Sequence, residues 1–227
     1  MVHVTKYDAA GHKVVVPVRD EKEYRALRDS VQNLRLYADY LQTHSDDTKR
    51  RFTAFAYHLG DVPEGTPLRG CMSRGDKHMT DYDVPEALEN DPAGRQQWAQ
   101  QLAERILAHR EEMGLLMLEG TANGGLHSVC RSQPGLTILE NQVLNALLLG
   151  CEIDSGCHDI ERIAFALPSS QLLYVHPDLF LPCTFSPEES MHRAQEMNLR
   201  RKMGQELLPA DAHKKNKHYN PNIHFNS

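Results

Sequence analysis

Two hydrophobic periods alternate along the chain, and that alternation constrains the fold more than any other feature. Short apolar runs at 14–18, 52–57, 115–118, 126–131, 162–167 and 172–175 read as strands. Pro17 has no N–H to give to a ladder, which puts the first run at a sheet edge. Helix patterns with their own start and stop signals lie between these runs. Tyr24, Leu27, Val31, Leu34, Ala38 and Leu41 recur at three- and four-residue steps behind Asp20 as N-cap. Fewer than three heptads make this a core-facing helix ahead of a coiled coil. A second helix opens at Asp91 and Pro92, turns Trp98, Leu102, Ile106 and Met113 inward, and stops at Gly114. A third has the capping box of Thr137 and Glu140 and ends at Gly150. A fourth has Ser186, Pro187 and Glu189 at its start, and the tail beyond Pro209 is polar and loosely held. The Gly- and Pro-rich stretch 60–75 reads as loop. This order predicts an α+β fold, a mixed or antiparallel sheet with flanking helices.

The 227 residues carry 25 Lys+Arg against 31 Asp+Glu, a net charge of −6, so affinity for nucleic acid cannot come from bulk charge. With 40% hydrophobic residues the chain is expected to be globular. It has neither an apolar run long enough to cross a bilayer nor a signal-like N-terminus, which points to the cytoplasm and away from membranes. Cys71, Cys130, Cys151, Cys157 and Cys183 are odd in number and lack a C-x-x-C, so they read as reduced thiols.

Three segments carry side chains suited to chemistry. Asp81 and Asp83, two apart on a strand, project from one face, where a buried pair needs a cation or a shared proton. An oxygen-rich pair suits Mg²⁺ or Mn²⁺; the competing reading is a solvated turn before Pro85. The run 120–131 places His127, Val129 and Arg131 on one strand face, after glycines whose N–H groups could cradle a phosphate. The competing reading is a Gly-rich hairpin with a satisfied histidine. In the third, Asp159 and Arg162 stand just before an apolar strand, either completing a metal-and-phosphate site or forming a local salt bridge. No H-E-x-x-H, zinc-deaminase, G-x-S-x-G or GxxxxGK[ST] pattern is present, which removes zinc hydrolase, serine hydrolase and P-loop readings.

In order, Asp-x-Asp, Gly-Gly-Leu-His and His-Asp-x-x-Arg each adjoin a predicted strand, and this order resembles the archaeo-eukaryotic primase superfamily. The chain is most similar to the primase-like module of mobile-element proteins associated with VirE-type domains. Gly70-Cys71 ahead of the Asp-x-Asp strand, Ile138-Leu-Glu-Asn-Gln142, and Asp159-Ile-Glu-Arg-Ile-Ala-Phe165 match that group, over about 52–180. The resemblance implies an RRM-like primase-polymerase core at 51–183, preceded by a strand and amphipathic helix (1–50) and followed by a helix and basic tail (184–227). It implies Asp81, Asp83 and Asp159 as ligands of Mg²⁺ or Mn²⁺ and His127 on the phosphates of an incoming nucleoside triphosphate. Charge alone adds Arg162 and Arg131 as phosphate partners. The implied activity is two-metal nucleotide polymerisation on a single-stranded DNA template, with a helicase or replication protein in trans. The competing functions are a catalytically inactive single-stranded-DNA-binding or adaptor module and a metal-dependent nuclease. Seven Lys/Arg against three acids between Arg193 and Lys217 could track a template, with Tyr219 and Phe225 to stack on bases; a solvated helix face is the plainer reading.

Overall fold

The computed structural model describes residues 1–206 and the backbone of a two-residue strand, His218–Tyr219. The tail beyond Pro209, with Lys214, Lys215, Lys217 and Phe225, lies outside the described residues, as does the side chain of Tyr219.

The chain opens with β1 (Val2–Tyr7) and β2 (Lys13–Val18), an antiparallel pair. The expectation had no strand at 2–7, because His3, Thr5 and Lys6 dilute its apolar signal. Yet Val2 and Val4 are buried, and β1 lies in the middle of a five-stranded sheet. That sheet runs β4 (Thr66–Pro67), β2, β1, β3 (Ala54–Ala56), β9 (Ile163–Phe165), all antiparallel. β2 is thus one strand in from the edge. Its neighbour β4 reaches only Val14 and Val15, so Pro17 still owes no hydrogen bond on that side.

The helix expected across 24–41 is two helices, α1 (Glu21–Arg28) and α2 (Val31–Thr43). Ser30 starts the second by accepting from Asn33 N–H. The break places Asn33 inside, where its Nδ2 donates to the carbonyls of Arg28 and Ala166 and its Oδ1 accepts from Thr53 N–H. Val31, Leu34 and Leu41 are consequently exposed, while Tyr24, Leu36 and Tyr40 are buried. A short α3 (Asp46–Lys49) leads into β3.

The second sheet has strand order β10 (Leu172–Val175), β6 (Leu115–Gly120), β7 (Leu126–Arg131), β5 (Lys77–Tyr82), again antiparallel. α4 (Pro92–Ala108) and α5 (Arg110–Met113) connect β5 to β6, and β7 then inserts between those two strands. Asp91 caps α4 as expected, and Gly114 ends α5 at φ 60°. α6 (Ile138–Leu149) has both halves of the Thr137/Glu140 capping box, and Ser186 caps α7 (Pro187–Met203). β8 (Ile153–Asp154) pairs with β11 (His218–Tyr219). The molecule is therefore α+β with two antiparallel sheets and flanking helices.

Strand alternation divides the core. Val2, Val4, Val18 and Phe55 of the first sheet meet Met79, Met117 and Val129 of the second. The other face of the second sheet, with Leu115, Leu118, Leu126 and Cys130, packs on Leu102, Ile106, Val143 and Ala146 of α4 and α6. All five cysteines are free. Among the described residues no helix is long and apolar enough to cross a membrane.

Candidate functional site

The pleat that sends Met79, Met117 and Val129 toward the first sheet sends Asp81, Glu119 and His127 the same way. Register aligns the last three in one row: Asp81 of β5 faces His127 of β7, which faces Glu119 of β6. His127 Nε2 lies 3.4 Å from Asp81 Oδ1, and its Nδ1 3.2 Å from Glu119 Oε1. Glu119 Oε2 accepts from Arg28 of α1 at 2.5 Å, with both side chains buried. Arg28 also donates to Leu167 O and to Tyr24 Oη, and the Tyr24 and Tyr57 hydroxyls are 2.6 Å apart. Charges thus alternate from the core outward: guanidinium, carboxylate, imidazole, carboxylate.

Burial pulls the His127 pKa down, but Asp81 and Glu119 outweigh it and raise it to about 10, so the ring is an imidazolium donating on both sides. Burial likewise pushes Asp81 and Glu119 up. His127 for the first, and Arg28 with His127 for the second, more than reverse this and hold both ionised.

Asp81, Asp83, His127, Asp159 and Arg162 all line one cleft of about 650 Å³. Asp81 therefore stands on a buried strand, in place of a solvated turn. The trio Asp81, Asp83 and Asp159 is not gathered to a single ligand spacing, however. The groups that do lie within 4.8 Å of one another are Asp81, Asp154 and Cys157. The Cys157 thiol is 3.2 Å from Asp154 Oδ2 and 3.7 Å from Asp81 Oδ2, and burial with the two carboxylates pushes its pKa far up. It is a protonated donor to the two carboxylates, whose oxygens are the ligand type a hard divalent cation takes. Asp159 Oδ1 accepts from Arg201 of α7 at 3.1 Å, and Arg162 lies 3.9 Å from Asp154. The local Asp159–Arg162 salt bridge weighed from the sequence is replaced by these two longer-range pairs.

Arg131 is not part of this cleft. It shares a strand face with His127 but sits at the far end of β7, opposite Lys77, and its guanidinium pairs with Asp178. The Gly-rich turn is closed on itself: Thr121 accepts from Gly124 N–H through its carbonyl and from Gly125 N–H through Oγ1, so those amides form no phosphate cradle. Gly125 is required for another reason, since a Cβ there would lie 2.4 Å from Tyr82 O on the strand that carries Asp81. The α7 arginines read as a template track are also engaged locally, Arg193 with Glu189, Arg200 with Glu140 and Arg201 with Asp159.

Two side chains to which the sequence reading gave no role, although Gln142 closes the 138–142 motif, tie the cleft together. His58, fully buried, accepts Met79 N–H at Nε2 (2.9 Å) and donates from Nδ1 to Asp159 O (2.7 Å). Gln142 Nε2 donates to Met79 O and to Cys157 O. The outer edge of β5 beside Asp81 is thus paired by side chains, both of which also reach the 157–159 loop. Burial lowers the His58 pKa to about 4, which keeps Nε2 an acceptor. Gln142 had a signal in the 138–142 motif, and Glu119 had one too, as a single acid between the run 115–118 and Gly120.

No protein-family model, no curated protein and no solved structure matches this chain.

Proposed function

We propose that the chain is a primase-like nucleotidyltransferase of a mobile genetic element, joining nucleoside triphosphates on a single-stranded DNA template. The observation that carries this reading is that Asp81, Asp83, His127, Asp159 and Arg162, contributed by separate strands and loops, line one cleft. The β5–α4–β6 crossover with β7 inserted is consistent with an RRM-like core, although β10 adds beside β6 and leaves β5 at the edge.

Asp81 would hold Mg²⁺ or Mn²⁺ together with Asp154, the carboxylate at ligand spacing, and Asp83 and Asp159 would complete the set from the same cleft; the chemistry of such an ion is to acidify an attacking hydroxyl and neutralise a departing pyrophosphate. The chain's own residues then orient and balance charge. Glu119 and Arg28 hold the His127 imidazolium fixed at the cleft wall, where it lends positive charge beside Asp81. Arg162 supplies a second cation for phosphate oxygens. His58 and Gln142 keep the two aspartate-bearing segments in register.

Asp81→Asn and Asp159→Asn are each expected to abolish Mn²⁺-dependent nucleotide incorporation on single-stranded DNA while circular dichroism stays unchanged. Full incorporation by both variants refutes the reading. One observation favours a non-catalytic binding module instead: Asp81 and Asp159 already have protein cations, His127 and Arg201, as partners. That module would bind DNA indifferently to both substitutions.

A further inference from the structure

Beside the cleft that holds Asp81 lies a second groove, of about 340 Å³, that shares Phe165 with it. Lys13, Arg50 and Arg51 line this groove, and no Asp or Glu does, in a chain with more acids than bases. Lys49 lines the Asp81 cleft, so consecutive residues 49–51 carry positive charge from one space into the other. Lys13 and Arg51 make no ion pair among the described residues, and Arg50 meets only the exposed Asp47 at 3.6 Å. Tyr7 stands at the groove 70% exposed, with Lys13 Nζ 5.7 Å from its ring centre.

Cations spread along a trough with an open aromatic ring match a polyanion whose bases are unpaired: phosphates take the charges and a base takes the ring. A small anion would instead call for donors converging on one point. We propose that this groove binds single-stranded nucleic acid and leads it past Phe165 to the Asp81 cleft, with Lys13, Arg50 and Arg51 on phosphates and Tyr7 stacked on a base. The choice of nucleic acid rests on the nucleotidyltransferase reading; binding itself needs no catalysis.

The test is fluorescence anisotropy of a labelled oligothymidylate of about 20 nucleotides across a salt series, with the full chain. The triple variant Lys13→Gln/Arg50→Gln/Arg51→Gln should bind at least about tenfold more weakly. Its slope of log affinity against log salt should be shallower by about 2, because each neutralised phosphate contributes about 0.7. Tyr7→Ala should weaken binding about fivefold or more and leave the slope alone. Arg19→Gln/Lys22→Gln/Arg110→Gln, which removes equal charge outside the groove, should bind as the unsubstituted chain. Thermal melting establishes that each variant is folded. Equal binding by the groove triple, equal loss in the outside triple, or full displacement of the oligonucleotide by inorganic triphosphate overturns the proposal. Groove-dependent binding without incorporation would defeat the nucleotidyltransferase reading and leave the groove standing. Incorporation that survives the groove triple would do the reverse.

Discussion

Moving this protein from about pH 7.5 to about pH 5 should cost it much of its stability, because three histidines are buried in the neutral form. His3, His58 and His78 are each 2% exposed or less. Burial lowers their pKa values from 6.5 to about 4, about 4 and about 3 respectively. Below pH 6.5 the unfolded chain binds a proton at each that the fold refuses, so stability falls as pH falls, until the folded pKa is reached. The loss is about 1.4 kcal/mol per pH unit for each group, hence about 2 kcal/mol each by pH 5 and about 6 for the three. His127 works the other way. Its raised pKa gives stability that is complete below 6.5 and is lost as pH climbs toward 10, so acidification returns about 1.4 kcal/mol. The net loss is about 4 to 5 kcal/mol, against a typical total of about 5–15. Urea titrations followed by the fluorescence of Trp98, the one tryptophan, measure it directly. His3→Leu should remove about 2 kcal/mol of the loss and raise stability near pH 7, since both His3 ring nitrogens lack a partner among the described residues. A change under about 1 kcal/mol between the two pH values, or an unaltered profile in His3→Leu, refutes the reasoning.

The buried pair gives a second expectation: Glu119→Gln leaves Arg28 an uncompensated core charge and should cost about 3–5 kcal/mol. Arg28→Met/Glu119→Leu together should recover most of that in the same urea titration. For the β5 clamp, His58→Ala strips partners from Met79 N–H and Asp159 C=O, a loss of about 2–5 kcal/mol. Amide exchange at Met79 should quicken accordingly, and unchanged protection there would mean β5 is held by other groups.

Local signals foretold local structure. Asp91 before Pro92, the Thr137/Glu140 box and Ser186 before Pro187 each began a helix where expected, because a cap needs only residues three or four apart. The same logic existed at Ser30 but was overridden by an apolar spacing that runs through it. The structure resolves the conflict in favour of the cap, because the Asn33 side chain gains three hydrogen bonds, two of them buried, while Val31, Leu34 and Leu41 lose only burial. β1 went unread for the opposite reason: its polar positions look like a solvated terminus until β2 and β3 flank it.

The cleft divides in the same way. Asp81, Asp83, His127, Asp159 and Arg162 were legible as chemistry-bearing residues beside strands, but which of them touch is decided by strand register and loop path, and neither is a local property. Register made His127 the partner of Asp81 and Glu119, and carried Arg131, four residues on, out of reach. The 157–162 loop brought the Cys157 thiol to Asp81 ahead of the Asp159 carboxylate, and drew Asp154 in with it. The loop's placement has a visible anchor. β5 ends the sheet, so its free edge has to be satisfied by His58 and Gln142, and each bond that satisfies it also fixes where the loop can lie. Those two side chains tie Met79 to the backbone of Cys157 and Asp159, contacts between residues far apart in sequence, which is why composition and motif order could nominate the cleft's residues without ranking their distances.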